Sequence, residues 1–202
     1  MILFPDGVLI TTVERSCLLH MVSDPEAWLL ATVTEKARLR REALIAEWRP
    51  RLFADPAVTT MPADDEGLCA LIMARDDYKT RLQQDAALDP PELPYRHNIA
   101  RHAGIDRSGP TVPLFASGID LTDIDANCIL AYVQDLSDWL LGALIGQINR
   151  GRKKMVSQYE PIIRADPAVA TMPGTETELI AMIVAREDYK TLPAQLVIAA
   201  SG

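Results

Sequence analysis

Residues 3 to 82 and residues 114 to 193 align without a gap at an offset of 111, and 30 of the 80 paired positions are identical. Ala54-Asp55-Pro56-Ala57-Val58 falls on Ala165-Asp166-Pro167-Ala168-Val169, and Thr60-Met61-Pro62 on Thr171-Met172-Pro173. Asp77-Tyr78-Lys79-Thr80 falls on Asp188-Tyr189-Lys190-Thr191, with Cys17 on Cys128 and Trp28-Leu29-Leu30 on Trp139-Leu140-Leu141. An internal repeat decides architecture before any local pattern does. The chain reads as a tandem duplication, with a first helical repeat over 1–83, a Pro- and Gly-containing linker over 84–111, and a second repeat with an apolar tail over 112–202.

Each copy opens on a short apolar piece, Ile2-Leu3-Phe4 with Val8-Leu9-Ile10, or Val112 to Phe115, punctuated by Gly7 or Gly118. These are expected to be extended arms or a small hairpin. Ala126, Ile129, Leu130 and Val133 have the spacing of one helical face and predict a short first helix. Asp24 followed by Pro25 is a helix start, because Asp accepts the orphan amides while Pro occupies a position that needs no donor. From there a long helix is predicted to about Phe53, with Pro50 and Pro161 expected to kink or end it. Two prolines then make a loop, and a third helix starts near Asp64 or Thr175, the latter with Glu178 as a capping box, and ends around Tyr78 or Tyr189. The fold class is therefore mainly α: a duplicated helical hairpin of long helix, Pro-rich loop and shorter helix, with short extended arms.

Nearly half of the residues are hydrophobic while only 5% are aromatic, which suits helical cores filled by Leu, Ile, Ala and Val. The formal net charge of −8 disfavours broad binding to nucleic acid or an anionic membrane. Cys17, Cys69 and Cys128 form no even disulfide framework and no Cys-x-x-Cys pair, so they read as buried thiols of a reducing compartment. Trp139 to Ile148 is too short to span a bilayer, and a soluble chain is expected. His97 and His102 lack a surrounding ligand set. His20 pairs with Ala131 in the register, so chemistry that needs it would exist in one copy only. With no nucleophile elbow, phosphate-cradling Gly-rich loop or His-Glu-x-x-His, no catalytic, cofactor or metal residue is assigned and the chain is read as no enzyme.

What remains are candidate partner contacts. Arg75, Tyr78, Lys79 and their counterparts Arg186, Tyr189, Lys190 form the densest polar cluster repeated in both copies, though cations at a helix C-terminus also offset the helix dipole. Asp55 and Asp166 precede prolines and are expected to fix their loops through backbone bonds, with a repeated partner contact as the alternative. Lys36, Arg38, Arg40 and Arg41, with Arg150, Arg152, Lys153 and Lys154, place basic runs midway along both long helices, and only Arg41 and Arg152 align. Such a run is usually a solvated face; if functional, it would make phosphate contacts without sequence preference. Gly142 and Gly146 are small residues four apart that permit close helix packing. Leu196, Val197 and Ile198 make an apolar tail that caps the core or docks into a neighbour.

The segment Met-Pro-x5-Leu-x-Ala-x-Ile-x-Ala-Arg-x-Asp-Tyr-Lys-Thr, with Trp28 or Trp139 and a basic long helix ahead of it, resembles small helical proteins encoded among tailed-phage structural genes. The resemblance implies a virion component of the neck, tail, baseplate or head surface, assembled in the host cytoplasm, with ends swapped between subunits. The expected function is that of a structural or interaction protein in a homo-oligomer or hetero-assembly, without membrane association. The alternative is a small cytoplasmic ligand binder or enzyme with a site between the two copies. A DNA-associated regulator is disfavoured by the acidic balance.

Overall fold

A computed structural model describes residues 1–4, 6–88, 110–115 and 118–201, so the linker histidines His97 and His102 lie outside the described residues. The protein is mainly helical. The first half carries β1 (Ile2–Leu3), β2 (Val8–Thr11), α1 (Thr12–Leu19), α2 (Pro25–Ala54), α3 (Asp65–Met73) and α4 (Arg81–Ala86). The second carries β3 (Thr111–Phe115), β4 (Ile119–Asp120), α5 (Asp123–Leu130), α6 (Leu136–Ala165), α7 (Glu176–Ala185) and α8 (Leu192–Ser201). α5 and α6 begin and end 111 positions after α1 and α2. No helix among the described residues is long and apolar enough to cross a membrane.

The predicted helix starts are present as capping bonds. Asp24 accepts from the amide of Ala27 at 3.0 Å and Asp135 from that of Asp138 at 2.9 Å. Thr175 and Glu178 close a reciprocal capping box on α7. Pro50 and Pro161 do not end the long helices, which run on to Ala54 and Ala165. An interior proline costs roughly 3 kcal/mol, but Trp48 and Leu52 flank Pro50 and are 5% and 1% exposed, each burial being worth about 1.5–3 kcal/mol.

The third helices stop earlier than their apolar pattern predicts, at Met73 and Ala185. Beyond Met73 the amides of Arg75 and Tyr78 close turns onto Ile72 and Arg75, and Thr80 with Gln83 forms a second capping box that starts α4. A good cap at Thr80 makes a restart preferable to a continued helix. Arg186 is the C-cap of α7 and Arg75 directly follows the C-cap of α3, while Lys79 and Lys190 lie four residues further on, beyond the reach of a helix dipole.

The described residues divide into two compact units. One comprises residues 1–4, 30–88 and 118–140. Its core brings Leu44, Ile45, Trp48 and Leu52 of α2 against Leu68, Cys69 and Ile72 of α3, with Cys128 and Ala131 supplied by α5 and its C-cap. β1 pairs antiparallel with β4, Leu3 opposite Ile119. A Cβ at Gly118 would collide with the Ile2 side chain and the Leu3 carbonyl, so the close approach of these strands requires glycine there.

The other unit comprises residues 6–29, 110–115 and 141–201. Here α1 lies against α7, burying Cys17 and Leu18 together with Ile180 and Ile183, while α6 adds Leu144, Ile148, Met155 and Ile163. β2 pairs antiparallel with β3, with a register shift between Val8 and Leu9.

Each unit thus takes its short first helix and one of its strands from the sequence copy that does not supply its hairpin. The local hairpin considered from sequence for the arms does not form. Phe4 and Gly7, at φ 51° and 76°, turn the chain between β1 and β2 and send the two strands to different partners.

Candidate functional site

The repeated polar cluster is an internal lock. Arg75 donates to Asp55 at 2.6 Å and to Asp77 at 2.9 Å, and Arg186 donates to Asp166 at 3.0 Å and to Asp188 at 2.8 Å. Asp55 also accepts from the Ala57 amide at 2.9 Å and Asp166 from that of Ala168 at 3.0 Å, so one carboxylate holds both its own Pro-containing loop and an arginine past the third helix. The Arg75 bond, with the Ala57 amide, holds the Asp55 carboxyl below the ordinary Asp range; for Asp166 the Ala168 amide leads and Arg186 adds to it.

Tyr78 donates its hydroxyl to the Asn127 carbonyl at 3.1 Å and Tyr189 to that of Ser16 at 3.4 Å, so each tyrosine ties the borrowed first helix to the hairpin. Burial pushes both phenols up to about 12.

The basic runs are partly consumed by the fold. Arg38 bridges Glu35 and Glu42, Lys36 sits over the Trp139 ring, Arg40 over Tyr132, and Arg41 pairs with Asp125. Arg152, the counterpart of Arg41, is 8% exposed and its Nε has no hydrogen-bond partner among the described residues. Lys153 and Lys154 remain exposed. Gly146 has nothing within 4 Å of where its Cβ would be, so it mediates no close packing. The glycine that does is Gly151, whose Cβ would run into the backbone carbonyl of Cys17.

All three cysteines are buried and unbridged, and Cys128 and Cys69 lie with their sulfurs 3.6 Å apart. Burial pushes the Cys17 thiol up to about 12. Among the described residues no group of His, Cys, Asp and Glu is arranged to hold a metal ion.

Two features of the described residues remain unspent. The first is α8: residues 195 to 200 are all exposed, with Leu196, Val197 and Ile198 at 53%, 66% and 59%. The second is a cavity of about 240 Å³ in the first unit. Trp48, Tyr78 and Tyr132 wall it, Ala131 lies against it, and Glu47, Asp77, Arg51 and Lys79 bring charges to it.

Asp77 is engaged by Arg75, and Glu47 accepts from the Tyr132 hydroxyl at 3.4 Å. Arg51 lies 4.9 Å from the Trp48 ring centre and only 4.0 Å from Glu47, while Lys79 is exposed and its ammonium makes no ion pair or hydrogen bond with the described residues. Sequence comparison with known families, curated proteins and solved structures finds no match for the chain.

Of the candidate contacts named from sequence, Tyr78 and Lys79 line this cavity and Arg41 does not. The signal that marks it was the pairing of His20 with Ala131, a large side chain opposed to a methyl at one core position.

Proposed function

We propose that the chain is a non-enzymatic interaction protein, a subunit of a larger protein assembly such as the neck, tail, baseplate or head surface of a phage virion. α8 carries this reading. A helix whose residues 195 to 200 are exposed, with Leu196, Val197, Ile198, Ala199 and Ala200 in succession, leaves apolar area in water that a protein partner would cover. Phe53, 72% exposed at the end of α2, and Leu9, 66% exposed on β2, add to the surface available for such contacts. The repeated arginine, aspartate and tyrosine cluster supports a scaffold role, since those side chains are committed to internal bonds. Particle or cytoplasm is the compartment this reading implies.

Solution mass over a concentration series tests it, on the full chain and on the Leu196→Asp/Ile198→Asp variant. An oligomer that dissolves on substitution supports the reading. A concentration-independent monomer in both, with no capture of neighbouring gene products, removes it. A second reading, a small-ligand binder, is favoured by the cavity beside Trp48, which lies within one unit and is lined by both sequence copies.

A further inference from the structure

The two units offer an internal comparison at the cavity. In the second unit the position of Ala131 is taken by His20, which is 7% exposed. Its ring stacks on Tyr189 with centres 6.1 Å apart and planes 22° from parallel, and its Nε2 is 2.8 Å from Gln158 Oε1. Tyr189 and Gln158 are the counterparts of Tyr78 and Glu47, both of which line the open cavity. The aromatic pair behind the ring is kept as well, Tyr159 with Tyr189 at 5.7 Å and Trp48 with Tyr78 at 6.2 Å. Where one unit supplies an imidazole from its own chain, the other has a methyl group and a void.

The differences around the void indicate what it would accept. Glu47 replaces Gln158, so the acceptor facing the missing ring is a carboxylate, which favours a ring N–H and favours it more when the ring is a cation. Arg51 replaces Ile162 and reaches Glu47 at 4.0 Å, while the Lys79 ammonium makes no ion pair with the described residues. A volume of about 240 Å³ falls below the roughly 300–1,000 Å³ of drug-sized sites, so the occupant is small.

We infer that this cavity binds a small heteroaromatic acid. A ring of imidazole size takes the place of the absent histidine, stacked on Tyr78 with its N–H toward Glu47, and an attached carboxylate meets Arg51 and Lys79. Trp48 closes the apolar side. This site stands independently of α8 and of the assembly reading.

The test is ligand-observed saturation-transfer NMR on the full chain with imidazole-4-acetate, and with phenylacetate as the ring lacking N–H. Binding of imidazole-4-acetate with a dissociation constant on the order of 1 mM is expected for a ligand of this size, with phenylacetate about tenfold weaker. Ala131→His, which rebuilds the second unit's arrangement, and Ala131→Met, which fills the space without an imidazole, should each weaken binding about tenfold or more while far-ultraviolet circular dichroism stays unchanged. If one of them fails to fold, the other decides. Equal binding of both acids, binding that survives the filling substitutions, or no binding at 20-fold the expected constant would each overturn the assignment.

Discussion

Tyr78 reaches the backbone of Asn127, 49 positions further along the chain, and its counterpart Tyr189 reaches back 173 positions to Ser16. Both bonds end on a carbonyl of the short helix that the other sequence copy contributes. Removing the hydroxyl while keeping the ring should therefore loosen the borrowed helix without disturbing the core. Tyr78→Phe is expected to cost about 1 kcal/mol in urea unfolding, and Tyr189→Phe somewhat less because its bond is longer. Equal stability of Tyr78→Phe and the native chain would show that water replaces the bond.

Gly151 and Gly146 lie five positions apart on α6 and should respond oppositely to alanine. At Gly151 the added methyl meets the Cys17 backbone, which cannot swing aside, and a loss of about 1–3 kcal/mol is expected. At Gly146 the space is open, and alanine should stabilise the helix by about 0.5–1 kcal/mol. Thermal melts of the two single variants check the pair.

Arg41 and Arg152 occupy matching positions with unmatched partners. Arg41→Met strands Asp125, which is one-fifth exposed, and should cost about 1 kcal/mol after allowance for solvent screening. Arg152→Met removes a buried cation that has no ion pair among the described residues, so it should be neutral or stabilising. A larger loss at Arg152 than at Arg41 in chemical denaturation would contradict this ordering.

His20 provides a pH dependence of known sign. Burial holds its imidazole below its ordinary value, Gln158 opposes that and Lys154 adds to it, with the Tyr189 ring stacked alongside. The unfolded ring takes up its proton near pH 6.5 while the folded ring resists. Its contribution is complete above that pH and is lost as the pH falls below it. Melting temperatures at pH 7.5 and 5.5 should drop more for the native chain than for His20→Ala, and identical drops would exclude His20 as the source.

The long helices were legible because Asp24 with Pro25, Asp135, and three-four spacing all act within one segment. The bond from Asp55 to Ala57 was legible for the same reason, being made between residues two apart. The pairing of Arg75 with that aspartate was hidden, since α3 ends at Met73, five residues before Tyr78, and the loop that carries Arg75 to Asp55 has no sequence period. The tyrosine bonds left no trace in residue type because their acceptors are backbone carbonyls. Which hairpin receives α1 or α5 was also hidden: the apolar face of a short helix states that it needs a partner and nothing about which one. At the cavity, the His20 and Ala131 mismatch was visible, but only the Tyr189 and Gln158 contacts give it a meaning.

The borrowed helices also impose an order on folding. α1 is made long before the helix it lies against, α7, which begins at Glu176, so the core of the second unit cannot close until α7 has left the ribosome. Loop closure over such a span adds little to the equilibrium cost but slows the search. A nascent chain halted after α4 would hold Cys17 and Leu18 unburied, a state with exposed apolar surface in which chaperone holding, or pairing with a second unfinished chain, competes with completion.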